Sequence, residues 1–239
     1  MKRIKLAIFD IDGTIFRSSL LIELINGLVL AGVFPAAAKK ETEKEYLAWL
    51  DRRGGYENYI SKVIKVYVKY IRGKKLSQVH RAAKEVIRTM KDRTYRFTRA
   101  LIKRLKKQNY FLMAISGSPT YIVGSYAKAI GFDAYFGSEI EIKNGQFTGR
   151  VLNLAPAFEK ARVVREYLKE NFLQADFKQS IAVGDTETDA QILELAGRPI
   201  AFNPNQQLAR LARKHGWRVV VERKDVIFDL RTYGFVEHG

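Results

Sequence analysis

The chain has 239 residues, enough for one large domain or a core with an insertion, and 47% of them are apolar, too many for a disordered chain. It lacks cysteine, which excludes disulfides, thiolate nucleophiles and cysteine-held zinc or iron–sulfur centres, and which suits a reducing, cytoplasmic setting. Its 42 Lys and Arg outnumber 25 Asp and Glu, a formal net charge of +17 that attracts anions; because the cations are scattered between apolar positions, as over 81–91 and 99–107, a solvated basic surface is favoured over nucleic-acid or anionic-lipid binding.

The start, Met1-Lys2-Arg3-Ile4-Lys5, is basic but runs straight into a short apolar segment, without the long apolar region and cleavage site of a signal peptide. Residues 6–9 read as a buried strand. Asp10-Ile11-Asp12-Gly13-Thr14 follows at its end. Two carboxylates placed there repel each other and lose hydration unless something compensates them. A hard divalent cation is the usual compensation, and chemistry on an anionic substrate the usual use. An ordinary Asp/Gly turn is the plainer alternative.

Residues 16–93 contain no strand–helix–strand unit. Helical periodicity predicts helices over 20–30, 36–50, 56–72 and 76–91, punctuated by Gly54-Gly55 and Gly73. We read this stretch as an all-helical insertion between core segments 1–15 and 94–239. The apolar run 20–35 is broken by Glu23 and Asn26 and is too short for a membrane span. It suits a helix packed over a site better than one lying on a membrane surface.

From residue 94 onward strands and helices alternate. Helices are predicted over 98–107, 121–130, 158–171, 188–196 and 206–214, and strands over 110–115, 180–183, 200–202 and 219–221. Alternation of this kind predicts an α/β fold, a doubly wound parallel sheet with helices on both faces. Asn144-Gly145, flanked by alternating residues over 139–151, predicts a small β-hairpin on the rim, taken here as structural decoration.

Three more polar signals sit at element ends. Ser116-Gly117-Ser118 follows the strand 110–115, where backbone N–H groups can face an oxyanion. Lys160 lies near a helix start, where a cation is unfavourable unless an anion is held nearby. Gly184-Asp185 ends a strand, and Asp189 follows four residues later; helix capping by Thr186 or Thr188 is the plainer reading of that segment.

Taken in order, Asp-x-Asp-Gly-Thr at 10–14, Ser116, Lys160 and Gly-Asp-x-x-x-Asp at 184–189 resemble the four motifs of the haloacid dehalogenase-like (HAD) phosphohydrolase superfamily. The helical insertion, Ser-Gly-Ser-Pro at 116–119 and the Asn-Gly ribbon resemble its phosphoserine-phosphatase-like branch. The resemblance implies a Rossmann-like core, with residues 16–93 as a C1-type helical cap. It implies Asp10 as the nucleophile of an aspartyl-phosphate mechanism and Asp12 as general acid and base. Mg2+ would be held by Asp10, the Asp12 carbonyl and Asp185, with Asp189 among the metal-site acids, orienting a bound water or Lys160. Ser116, Gly117 and Lys160 would hold phosphoryl oxygens, and Thr14 would support the turn. Dehalogenases lack an acid at the position of Asp12, so phosphate-ester chemistry is implied.

The expected activity is hydrolysis of a small phosphorylated metabolite. A phosphoserine phosphatase, or a phosphotransferase with the same first step, is the alternative. Phosphoserine phosphatases carry a glutamate at the cap entry, but the offset of Glu23 from Asp10 does not match it; Ser18, Ser19 and Leu20 occupy that stretch. Arg17, Arg52 and Arg53 are candidates for binding a second anionic group, with solvated surface positions as the plainer reading. No dedicated protein partner is implied.

Overall fold

A computed structural model describes residues 2–230; Met1 and residues 231–239, at the outer ends of the two expected core segments, lie outside the described residues. Strand β1 (Lys2–Phe9) runs through the middle of one sheet. Its second half, Leu6 to Phe9, is wholly buried, as a strand covered on both faces must be. Successive residues part to opposite sides: Ala7 and Phe9 join one hydrophobic cluster, Leu6 and Ile8 the other.

The sheet runs β4 (Gln146–Asn153), β3 (Ala134–Lys143), β2 (Tyr110–Pro119), β1, β6 (Ile181–Gly184), β7 (Arg198–Phe202), β8 (Arg218–Arg223), β9 (Val226–Leu230). The pairings from β3 to β8 are parallel, and β4 and β9 are antiparallel edges. A short β5 (Leu173–Ala175) lies beside the start of β1. Helices α5 (Arg96–Lys107) and α6 (Thr120–Ile130) cover one face, and α8 (Lys160–Glu170), α9 (Ala190–Leu195) and α10 (Gln206–His215) the other. The doubly wound α/β fold is therefore as expected, and the order changes direction beside β1, where such sheets bind ligands at their carboxyl ends.

Between β1 and α5 come α1 (Leu20–Leu30), α2 (Ala37–Leu50), α3 (Tyr56–Ile71) and α4 (Leu76–Met90). Helix α1 buries Leu20, Leu21, Leu24, Ile25 and Leu28, the three-and-four spacing of one helix face. These side chains merge with the cluster on the α5–α6 face of the sheet. Among the described residues no helix is long and apolar enough to cross a membrane.

One expectation needs correction. The helix expected over 158–171 is broken: a short α7 (Ala155–Phe158) ends at Glu159, whose φ of −132° and ψ of 45° are not helical, so α8 begins on Lys160. The hairpin is present as expected, and its structural role is specific. Asn144 and Gly145 both adopt positive φ in its tight turn. Gly73 N donates to Phe147 O (2.7 Å), Phe147 N to Lys74 O (3.0 Å) and Leu76 N to Gly145 O (2.9 Å), so the ribbon grips the turn between α3 and α4.

Candidate active site

The site lies at the carboxyl ends of β1, β2 and β6. Asp10 leaves β1 with its N–H on Val183 O of β6 (3.0 Å). The chain then turns sharply, with Ile11 O accepting from Ile15 N and Phe16 N (both 2.9 Å). Gly13 adopts a φ of +82°, and a Cβ there would collide with Asp185 Oδ2. Only glycine lets the β1 turn come this close to the end of β6. Thr14 Oγ1 then donates to Asp185 Oδ1 at 3.1 Å.

Asp12 faces β2 and α1. Its Oδ1 accepts from Leu20 N (2.5 Å), and its Oδ2 accepts from Ser116 Oγ (2.5 Å) and Ser118 Oγ (2.8 Å). Its carboxylate thus satisfies a free N–H at the start of α1 and complements the helix dipole there. Ser116 Oγ in turn accepts from Ser118 N (2.9 Å), and Ser118 Oγ from Leu21 N (3.1 Å). Gly117 is exposed between them, its carbonyl accepting from Ser138 Oγ (2.8 Å).

Lys160 is only 2% exposed. Its Nζ lies 2.6 Å from Asp10 Oδ1 and 2.5 Å from Asp189 Oδ1, which supplies the anion that a cation at a helix start requires. The other oxygen of Asp189 accepts from Asp185 N (3.0 Å) and Thr186 N (3.1 Å). Thr186 and Asp189 also form a reciprocal capping box, so the capping reading and the site coexist. A Cβ on Gly184 would collide with the Asp189 carboxylate.

Asp10, Asp185 and Asp189 each present an oxygen within 4.8 Å of the others. Asp10 Oδ2 is buried and has no hydrogen-bond partner. A buried, unsatisfied carboxylate oxygen facing a second carboxylate is costly in water-free surroundings and suits a hard cation. Asp189, expected among the metal-site acids and to orient a bound water or Lys160, is one of this trio, and its oxygens are also engaged with Lys160 and backbone N–H groups. The Asp12 side chain is turned toward Ser116 and Ser118, away from that trio.

Electrostatics match the crowding. Burial pushes Asp10 up to about 7, with Lys160 opposing and Asp189 and Asp12 adding to the rise. Burial also raises Asp12, opposed by hydrogen bonds from Ser116, Leu20 and Ser118. Asp185 is raised well above the usual range by burial and by the charges of Asp10 and Asp189. Burial works against a charged Lys160, but Asp10 and Asp189 outweigh it and raise its pKa.

The remaining candidates stand apart. Arg17 lies over the Tyr95 ring at 5.5 Å, and Arg52 is exposed in the α2–α3 loop with a φ of 59°. Arg53 pairs with Asp51. Glu23, in the first turn of α1, accepts from Ser18 Oγ (2.9 Å) and Asn26 Nδ2 (3.3 Å). Two neighbours are given no site role by the sequence reading. Ser118 shares Asp12 with Ser116, and its two-residue spacing along an extended strand end was the available signal. Tyr56, at the start of α3, lies in the field of Asp12, Asp185 and Asp10; burial and those charges raise its phenol pKa.

The model of the haloacid dehalogenase-like hydrolases matches residues 7–194. A phosphoserine phosphatase of Archaeoglobus fulgidus is 29% identical over 209 residues, 87% of this chain and 55% of that relative, so the chain spans little more than half of its length. A solved Bordetella pertussis protein of unknown function superposes with a TM-score of 0.71 at 20% identity, covering 92% of this chain and 98% of that one. A phosphoserine phosphatase solved as a phospho-aspartyl intermediate analogue gives 0.61 at 22% identity, covering 94% and 96%. These two likenesses concern the fold.

Proposed function

The chain belongs to the haloacid dehalogenase-like hydrolase family, and from that premise we propose that it is a magnesium-dependent phosphomonoesterase working through an aspartyl-phosphate, with residues 16–93 as its cap. The observation that carries the reading is Asp10. One of its oxygens is held by Lys160, and the other is buried, bare and directed by the strand end. A carboxylate held by one oxygen presents the second as a nucleophile. The phosphoserine phosphatases among its relatives support the reaction class.

In the first step one carboxylate oxygen of Asp10 attacks phosphorus as the bond to the leaving oxygen breaks, the other being left to the cation site. Asp12 gives that oxygen a proton, for which its raised pKa suits it. In the second step Asp12 takes a proton from water, the water oxygen attacks phosphorus, and the bond to Asp10 breaks to release phosphate. Lys160 fixes Asp10 and offsets charge, and Asp189 fixes Lys160. The exposed backbone at Gly117 would hold a phosphoryl oxygen, and Ser116 would join it by exchanging the hydrogen bond it now gives to Asp12. Asp10, Asp185 and the Asp12 carbonyl would hold magnesium, which when bound screens the repulsion between substrate and carboxylates.

Hydrolysis of p-nitrophenyl phosphate tests the reading. We expect turnover that requires magnesium and is lost in Asp10→Asn. A rate indifferent to the metal, or one retained in Asp10→Asn, refutes it.

A further inference from the structure

We propose that Tyr46, Trp49, Tyr56 and Tyr59 form the subsite for the leaving half of the substrate, and that they select phosphomonoesters whose alcohol carries an aromatic or apolar group. The inference rests on the phosphomonoesterase reading and adds the substrate class. The four rings gather where α2 ends and α3 begins. Ring centroids lie 5.3 Å apart for Tyr46–Tyr59, 5.4 Å for Trp49–Tyr56 and 5.9 Å for Trp49–Tyr59, the last pair stacked at 12°.

A cluster made only to join two helices would bury its rings. Here Tyr59 alone is buried, while Tyr46 and Tyr56 are each 38% exposed and Leu47 and Leu50 beside them are about half exposed. This apolar surface stands near the acids. Asp12 holds the start of α1 through Leu20 N, and α1 packs against both α2 and α3. Because α1 starts at the Leu20 N–H held by Asp12 and the short 31–36 link turns the chain back into α2, which packs along α1, the α2–α3 junction lies toward the Asp12 end of α1, in keeping with the influence of Asp12 on the Tyr56 phenol and of Glu23 on Tyr59. The rings therefore line the way out from the reacting carboxylates, where the alcohol half of an ester would extend.

Of the charged neighbours, Glu23 and Arg53 already have partners, while Arg52 is exposed in the α2–α3 loop and belongs to the rival, amino-acid reading that the test below separates. Glu23 is held by Ser18 and Asn26, and Arg53 by Asp51. Aromatic walls reward planar or apolar groups through contact area and ring stacking. One well-filled apolar contact discriminates by roughly 10–200-fold.

The test compares 2-phenylethyl phosphate with ethyl phosphate, 2-aminoethyl phosphate and phosphoserine. All are alkyl esters, which removes the intrinsic advantage of an aryl leaving group. We expect a KM for the phenylethyl ester at least about tenfold below that for ethyl phosphate. Tyr56→Ala and Trp49→Ala should abolish that advantage, Trp49→Ala while leaving the KM for ethyl phosphate within about twofold, and Tyr56→Phe should retain it. Equal KM values in wild type, a preference for the aminoethyl ester or phosphoserine, or an advantage that survives both alanine variants overturns the subsite.

Binding is read separately, so that failure of the reaction is not confused with failure of the subsite. In Trp217→Phe, which leaves Trp49 as the sole tryptophan, fluorescence is titrated with 2-phenylethylphosphonate and ethylphosphonate. A Trp49 signal that saturates at about tenfold lower phenylethylphosphonate supports the subsite even without turnover. No ligand-dependent change, or identical titrations, overturns it.

Discussion

Replacing Lys160 by methionine keeps most of the side chain's length and removes its charge. In the native protein that charge is buried and lies 2.6 Å from Asp10 and 2.5 Å from Asp189. Removing one partner of a buried ion pair costs about 3–5 kcal/mol, because the remaining charge stays desolvated. For a chain of this size that is a fall in Tm of roughly 6–20 °C. The loss carries a pH signature. Asp10 sits at about 7, above its ordinary 3.8, and Lys160 is an influence pulling it down. An acid raised on folding costs stability as pH climbs from its unfolded to its folded pKa, because the unfolded chain ionises first. Without Lys160 the folded pKa moves higher. The variant therefore goes on losing stability above pH 7, where the native contribution has levelled off, by about 1.4 kcal/mol for each added unit. At pH 5 Asp10 is protonated in both folded proteins and this part of the difference disappears. Urea unfolding followed by circular dichroism, in EDTA at pH 5 and pH 8.5, measures both gaps. The gap should be larger at pH 8.5 by at least about 1.4 kcal/mol. Equal gaps, or a larger one at pH 5, refute the reasoning.

Magnesium should bind more tightly as pH rises through 7, because it competes with a proton on Asp10; calorimetry should show affinity falling toward about tenfold per unit below that pH, with proton release on binding. Gly13→Ala forces a left-handed φ on alanine, about 1–2 kcal/mol, and drives its methyl into Asp185. Its kcat/KM on p-nitrophenyl phosphate should fall at least about 100-fold, whereas Gly32→Ala, with φ of +68° and open space around it, should lose stability alone. Ser116→Ala removes a hydrogen bond that lowers the Asp12 pKa. Its kcat should drop by about 10–100-fold and the basic limb of the pH–rate profile should move upward; an unmoved limb would separate Asp12 from the proton transfer.

Much of this architecture is readable in the chain because strands covered on both faces are continuous apolar runs, as at Leu6 to Phe9, and helices of the insertion stop at Gly54-Gly55 and Gly73. Strand β5 was missed because three residues carry no periodicity, and β9 because an exposed edge strand lacks a buried pattern. The helix break at Glu159 is invisible to pattern: apolar spacing continues through it, and only backbone geometry shows that Lys160 opens a new helix. At the site, Asp10, Asp185 and Lys160 stand out because each is a polar residue at an element end. The direction of Asp12 toward Ser118 depends on how two loops meet, 106 residues apart in sequence. Tyr56 offers no local sign at all, since an aromatic residue opening a helix reads as packing.

The acids differ in how fully they are engaged, and this difference sorts their roles. Asp189 has both oxygens occupied, Asp12 accepts three hydrogen bonds, and Asp185 accepts one from Thr14. Asp10 is tied at one oxygen and bare at the other. Asp189, held by Lys160 and two backbone N–H groups, is fixed in place; Asp12, held mostly by hydroxyl groups, can exchange those hydrogen bonds for a proton; and Asp10 keeps one oxygen uncommitted. Gly13 and Gly184 intensify the arrangement, since they remove the Cβ atoms that would hold Asp185 and Asp189 away from the β1 turn. The chain thus builds repulsion among buried acids that Lys160 only partly offsets. Protons or a divalent cation can relieve the remainder, and only the cation leaves Asp10 ionised, as the proposed attack on phosphorus requires. Low tolerance for the ionised state without a cation therefore follows from this crowding.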